Sequence, residues 1–331
     1  MNLKTEIINY LSGESVKTFD EIAFMIYEVQ SEENPHYRSF LEVLGQDKLS
    51  PSSIEDIPLL PISAFKHHKI KTGSWDAQSV FLSSGTSHMD RSRHYVGDLN
   101  FYKHHTLHTF KGFYKNALNK ILSLLPSYIE NGDSSLVHMV DNMMDYYNDK
   151  EKAHFLYDFE ALKSTLDDQE TNGHSTVLIG VTFALLDFAK EFKSLDSNLT
   201  IIFTGGMKNR GIELSYEEVF DTLKKSFPNS TIDSEFGMTE MFSQSYCQNS
   251  KDGFYTPASS LYIQPKELND PLTTAKIGKT GQLGFIDLAN YQTCSFVLTD
   301  DLCIKKNDGR FKVLGRMAQS DIRGCNMLYQ I

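Results

Sequence analysis

"TVLIGVTFALLDFAKEF", Thr176–Phe192, followed by "LTIIFTGGMKNRG", Leu199–Gly211, decides the fold. The first stretch reads as a short apolar strand through Gly180 and then a helix. The second reads as an apolar strand running into a glycine turn. A strand apolar on both faces belongs in the middle of a sheet covered by helices. "IELSYEEVFDTLKKSF" continues as an amphipathic helix, and "STIDSEFGMTEMF" as a strand and then a turn. Strand, turn and helix in repetition predict an α/β fold with a largely parallel central sheet.

Outward from this centre the reading continues on both sides. "HFLYDFEALKSTLDD" is expected to be a helix, and "SLVHMVDNMM" (Ser135–Met144) a strand. "TFDEIAFMIYEVQ" offers Thr18 as N-cap with Glu21 three places on, a capping box. The first fifty residues are therefore taken as a helical segment. Residues 51–331 are taken as one continuous unit, entered through the proline-marked connection "PSSIEDIPLLPISAFK". From about Phe254 short strands dominate: "LYIQP", "GQLGFIDL", "SFVLTDDLCIKK" and "GRFKVLG", with Asp308-Gly309 as a hairpin turn.

The chain has 331 residues, 40% of them hydrophobic, enough for a substantial core. Its formal charge is −11, with 43 acidic against 32 basic residues. No basic stripe is present, which argues against nucleic acid as a partner. The amino terminus lacks the apolar core of a signal peptide, and no apolar run approaches the ~20 residues that span a bilayer. A cytoplasmic protein is expected. The four cysteines, Cys247, Cys294, Cys303 and Cys325, form no C-x-x-C pair and no disulfide framework. The first three read as buried fillers.

Ligands of open α/β sheets collect at the carboxyl ends of strands. Three turns are candidates: Ser83-Ser84-Gly85-Thr86-Ser87, Thr204-Gly205-Gly206, and Phe236-Gly237-Met238-Thr239-Glu240. Hydroxyls around a glycine can cradle phosphate, with Arg91, Arg93 and His94 following as cations. Alone, the stretch reads as an ordinary polar loop, since hydroxyl-rich turns are common. The two glycines allow close backbone approach to a flat ligand, or simply a tight turn. Thr239 beside Glu240 suits a phosphate-bound Mg²⁺, or the acidic first turn of a helix. Asp300 and Asp301 fall at an expected strand end. Arg310, Lys312 and Arg316 lie on the hairpin. His104 and His108 share a helix face but lack the H-E-x-x-H pattern of a zinc site.

The order S-S-G-T-S, G-G, F-G-M-T-E, T-D-D-L, G-R resembles the motif series of the adenylate-forming superfamily. Within it, "PLLPISAFK", "FLSSGTS…SRH", "FGMTEM", "LTDDL" and "GRMAQSDIRGC" are most similar to the acyl-protein synthetase (LuxE) family. The resemblance spans about Ile57 to the end. It implies the superfamily's large α/β domain, with mostly parallel sheets flanked by helices and a β-rich carboxy-terminal portion. It also implies an enzyme that uses ATP and Mg²⁺ to activate a carboxylic acid, a fatty acid by this resemblance, as the acyl-adenylate and passes the acyl group to a protein thiol. Ser83, Ser84, Gly85, Thr86 and Ser87 would hold the triphosphate, with His88, Arg91, Arg93 and His94 in place of the usual loop lysine. Gly205, Gly206, Phe236 and Gly237 would flank adenine. Thr239 would touch phosphate, Glu240 the metal, and Asp301 with Arg316 the ribose. Cys325 would accept the acyl group, and an acyl-accepting or reductase protein would be the partner. The mobile carboxy-terminal domain of the superfamily, with its catalytic lysine, is expected to be absent. The alternatives are transfer to an amine or a carrier-protein thiol, and a non-catalytic nucleotide- or acyl-binding subunit.

Overall fold

The computed structural model describes residues 3–48, 50–83, 91–115, 118, 120–125, 133–173, 175–192, 199–205 and 214–317. Along the chain, helices α1 (Leu3–Ser12), α2 (Phe19–Glu33) and α3 (Pro35–Val43) lead to strand β1 (Leu60–Pro61) and helix α4 (Ala64–His67). Strands β2 (Ser79–Leu82) and β3 (Arg93–Val96) precede helix α5 (Leu99–Phe113). The centre runs β4 (Lys120–Leu124), α6 (Ser135–Tyr147), α7 (Phe159–Thr171), β5 (Thr176–Val181), α8 (Thr182–Glu191), β6 (Leu199–Thr204), α9 (Tyr216–Ser226), β7 (Thr231–Phe236) and β8 (Ser245–Cys247). Strands β9 (Thr256–Pro257), β10 (Leu261–Ile263), β11 (Lys266–Glu267), β12 (Asp270–Thr274), β13 (Thr280–Asp287), β14 (Phe296–Lys305) and β15 (Phe311–Arg316) complete the described chain.

Two compact units emerge. The first combines Met1–His105, Met238–Gln244 and Thr256–Ile331, and the second Thr106–Gly237 and Ser245–Tyr255. Helices α1–α3 belong to the first unit. Buried Gln30 of α2 explains why. Its amide donates to the carbonyls of Asn290 and Tyr291, and its oxygen accepts from the Ser295 N–H. A buried amide with these partners satisfied is a strong tie between a helix and a distant loop.

The first unit is built on an antiparallel sheet, β1-β14-β13-β11-β12, with β10 on β13 and β15 on β14; only β1 runs parallel to its neighbour. Strands β2 and β3 form a separate antiparallel pair, Ser79 opposite Val96 and Leu82 opposite Arg93. The Asp308-Gly309 hairpin is present between β14 and β15, with Gly309 at φ 84°. Asp300 and Asp301 lie inside β14 rather than at its end, and Asp301 faces Arg316 across the ladder.

In the second unit β4, β5, β6 and β7 run parallel and β8 joins β7 antiparallel. Every residue of β5 is buried, as its apolar run requires. Gly180 has a packing reason: a Cβ there would stand 2.6 Å from Leu185 Cγ, so its absence lets α8 lie on its own strand. Ser135–Met144 forms helix α6 and not a strand. Met139, Val140, Met143 and Met144 are all buried, a spacing that fits a helix face rather than alternation. His138 therefore sits on a helix. Among the described residues no helix is long and apolar enough to cross a membrane.

Candidate active site

The motif Phe236–Glu240 crosses the division of the chain, so each unit carries half of it. In the first unit, Thr239 and Glu240 form a turn whose backbone is held from several sides. The Thr239 carbonyl lies 2.7 Å from His94 Nδ1, and the Glu240 carbonyl accepts from Asn290 Nδ2 at 2.7 Å. Asp287 accepts from the N–H groups of Phe242 and Ser243 at 2.8 and 3.0 Å, and from the Ser243 hydroxyl at 2.6 Å. Glu240 is buried, and its carboxyl is pushed above the usual range by burial, against a hydrogen bond from Ser92 and the charges of Lys66 and Arg316. Ser83 joins the same arrangement. Its hydroxyl accepts from the Ser92 N–H at 2.9 Å, and its own N–H donates to the Ser92 carbonyl.

One buried carboxylate beside a hydroxyl is a donor set that suits Mg²⁺, which takes phosphate oxygens and water as its other ligands. Among the described residues no group of three or more His, Cys, Asp or Glu could cage a metal on its own.

Arg93 opens β3, two residues after Arg91, while His94 departs from the cationic role expected of it. It is fully buried, and burial lowers its pKa to about 4, so the ring is neutral at pH 7. Asp301 and Arg316 are brought together, Oδ1 to Nε 3.6 Å, with Arg316 exposed to solvent. Ser84, Gly85, Thr86, Ser87, His88, Gly206 and Cys325 lie outside the described residues. The other three cysteines are buried, and burial raises all three thiols, Cys294 and Cys303 to about 12. They are poor thiolate nucleophiles.

In the second unit, Gly205 ends β6 at φ 69°, and its carbonyl accepts from the Thr182 hydroxyl. Phe236 packs on Tyr255 at 5.7 Å. Glu235 is the residue that sequence reasoning passed over. It is buried beneath Gly237, where a Cβ would stand 2.6 Å from Glu235 Oε1. Its carboxyl accepts from the Thr204 hydroxyl at 2.5 Å, and burial raises it to about 7. Its only sequence signal was a carboxylate in an otherwise buried strand.

A serine–histidine–aspartate line also exists in this unit. Ser123 Oγ lies 2.6 Å from His154 Nδ1, and His154 Nε2 2.7 Å from Asp141 Oδ1. Ser123 is fully buried, and its backbone bonds to Ala153 and Phe155. A nucleophile must be reachable, so this line anchors the sheet edge instead.

No family model and no curated protein matches the chain in sequence. Solved structures do match in fold. A 2-hydroxyisobutyryl-CoA ligase, in an open conformation with 2-HIB-AMP and CoA, superposes with TM-score 0.67 at 13% identity, over 91% of this chain and 70% of that one. O-succinylbenzoate coenzyme A synthetase (MenE) from Bacillus subtilis, in complex with AMP, gives 0.54 at 14%, over 72% and 49%. A luciferase-like enzyme from the nonluminescent mealworm Zophobas morio gives 0.51 at 15%, over 83% and 61%. The chain has the α/β fold of the adenylate-forming enzymes.

Proposed function

We propose that this protein is an ATP-dependent ligase that converts a carboxylic acid to its acyl-adenylate and transfers the acyl group to a thiol. The observation that carries this reading is the Thr239–Glu240 turn, fixed by buried side chains in a fold whose solved examples hold AMP and 2-HIB-AMP. A carboxylate is a weak nucleophile toward an anionic phosphate. The protein's task is to orient the pair and neutralise the charge that develops between them.

In the first step a carboxylate oxygen bonds to the α-phosphorus, the bond from that phosphorus to the bridging oxygen breaks, and pyrophosphate leaves. In the second a thiolate attacks the acyl carbon, the thioester forms, AMP leaves, and the thiol's proton passes to solvent. Thr239 and the Ser83–Ser87 hydroxyls donate to phosphate oxygens, with Arg91 and Arg93 supplying positive charge in place of a lysine. Glu240 would hold Mg²⁺, which when bound would offset phosphate charge. Asp301 accepts from ribose hydroxyls, and Arg316 sits beside it. In the second unit Gly205, Gly206, Phe236 and Gly237 present backbone and a ring face to the base.

The finer reading is a fatty acid as substrate and Cys325 as the acceptor, with a protein that takes the acyl group onward. Raised, buried thiols at Cys247, Cys294 and Cys303 favour an acceptor elsewhere. CoA is the competing acceptor, because a solved structure of this fold holds it. Intact mass after incubation with ATP and each of a panel of acids separates the two. A hydroxylamine-labile acyl adduct lost in Cys325→Ser supports the protein thiol. Free acyl-CoA, with no adduct, supports CoA. ATP binding with no turnover of any acid overturns the ligase reading.

A further inference from the structure

Two alternate residues around β3 face the Thr239–Glu240 turn, as strand periodicity requires. Ser92 bonds the Glu240 side chain, and His94 bonds the Thr239 carbonyl. A carbonyl only accepts, so His94 Nδ1 carries the proton. Nε2 then accepts from the Thr293 hydroxyl at 3.0 Å. The ring is wedged against Phe242, stacked at 4.7 Å, and against the edge of Phe65 at 5.7 Å.

Thr293 is itself fixed. Its carbonyl accepts from Thr72 Oγ1 at 2.6 Å and from Asn34 Nδ2 at 2.8 Å. A relay of buried polar groups thus runs from the junction of α2 and α3, through Thr293 and the imidazole, to the backbone of the turn. Both consecutive carbonyls, of Thr239 and Glu240, are held by side chains from outside the turn.

We propose that His94 is a positioning residue for adenylation: its Nδ1–H fixes the Thr239 carbonyl, and through it the aim of the Thr239 hydroxyl and the Glu240 carboxylate. This rests on the ligase reading above. It makes the strand that returns from the Ser83–Ser87 loop a physical link between two motifs distant in sequence. An imidazole held neutral and buried is suited to this, because it locks direction without adding charge beside phosphate.

The test is acid-dependent ATP–pyrophosphate exchange in three full-length variants, with the folded fraction of each measured. His94→Asn places an N–H near the Nδ1 position, His94→Gln near Nε2, and His94→Phe keeps the ring and removes both bonds. A misplacement of about 1 Å at a reacting group costs on the order of a hundredfold. His94→Phe and His94→Gln should lose about that in kcat with the KM for ATP changed less than about threefold. His94→Asn should stay within about tenfold of wild type, the net loss of one hydrogen bond's geometry. Rates per folded molecule equal to wild type in all variants, or Gln equal to Asn, would overturn the proposal while leaving the ligase reading intact. If His94→Phe does not fold, the Asn–Gln pair decides. A wild type inactive with every acid overturns both.

Discussion

The motif Phe236–Glu240 and the residue before it bring two carboxylates into two units, and the units treat them differently. Around Glu240 the first unit assembles Ser92, His94, Asn290 and Asp287, so that side chain and backbone are all held. Around Glu235 the second unit supplies the Thr204 hydroxyl and the bare face of Gly237. The first arrangement is a preorganised turn. The second stores an under-compensated acid, with its carboxyl raised to about 7. Burial raises both carboxyls; what differs is that converging hydrogen bonds fix the backbone geometry around Glu240 and not around Glu235.

The largest effect expected from this contrast is at Glu240. Glu240→Gln should lower exchange by about a hundredfold or more, the scale of removing a group aimed at developing charge. It should not lower stability, since it removes a buried charge. A loss of stability that matched the loss of rate would erase the distinction between the two carboxylates.

The pH dependence sharpens it further. Glu235 holds its proton more tightly folded than unfolded. Wild type therefore loses stability relative to Glu235→Gln as pH rises from about 4.5 through about 7. His94, lowered to about 4, has the opposite sense: wild type loses stability relative to His94→Phe as pH falls from about 6.5 toward 4. Each shift amounts to about 3 kcal/mol when complete. Fluorescence of Trp75, the single tryptophan, reports the first unit, and hydrogen exchange of β5–β7 peptides the second. Slopes of the same sign in both variants would contradict the assignment.

A smaller effect is expected at Gly237. Gly237→Ala pushes a Cβ against Glu235 Oε1, the end of a side chain that can turn, for about 1 kcal/mol of overpacking. Adding Glu235→Ala should recover most of it in a double-mutant cycle. Smallest is Arg316→Ala. Its pair with Asp301 is long, at 3.6 Å, and the guanidinium is solvent-exposed, so it should contribute under about 1 kcal/mol to stability, while the KM for ATP rises. Unchanged KM would remove Arg316 from the nucleotide site.

Local features were legible in the sequence. The capping box at Thr18 and Glu21 is present, and β5, β6 and β7 stand where the apolar runs placed them. Those signals depend on neighbours a few residues apart. Ser135–Met144 was misread because a short apolar run with two valines suits either period. Only the packing of Met139, Val140, Met143 and Met144 on one side settles it. His94 read as a cation because burial is a long-range property: Phe242, Thr239 and Thr293 enclose it from up to 199 positions away. The interleaving of three chain segments in the first unit is likewise invisible to any local pattern. The Thr239–Glu240 turn was found by motif, but the side chains that hold it, Asn290 and Asp287, carry no motif of their own.

The central claim is acid adenylation that depends on Glu240. Its most direct test is ATP–pyrophosphate exchange by the wild-type chain at pH 7 with Mg²⁺ and a panel of carboxylic acids, with Glu240→Gln alongside. The expected result is exchange that requires both an acid and the metal, reduced at least about a hundredfold in the variant. Exchange with no acid in the panel, or exchange indifferent to Glu240→Gln, would contradict it.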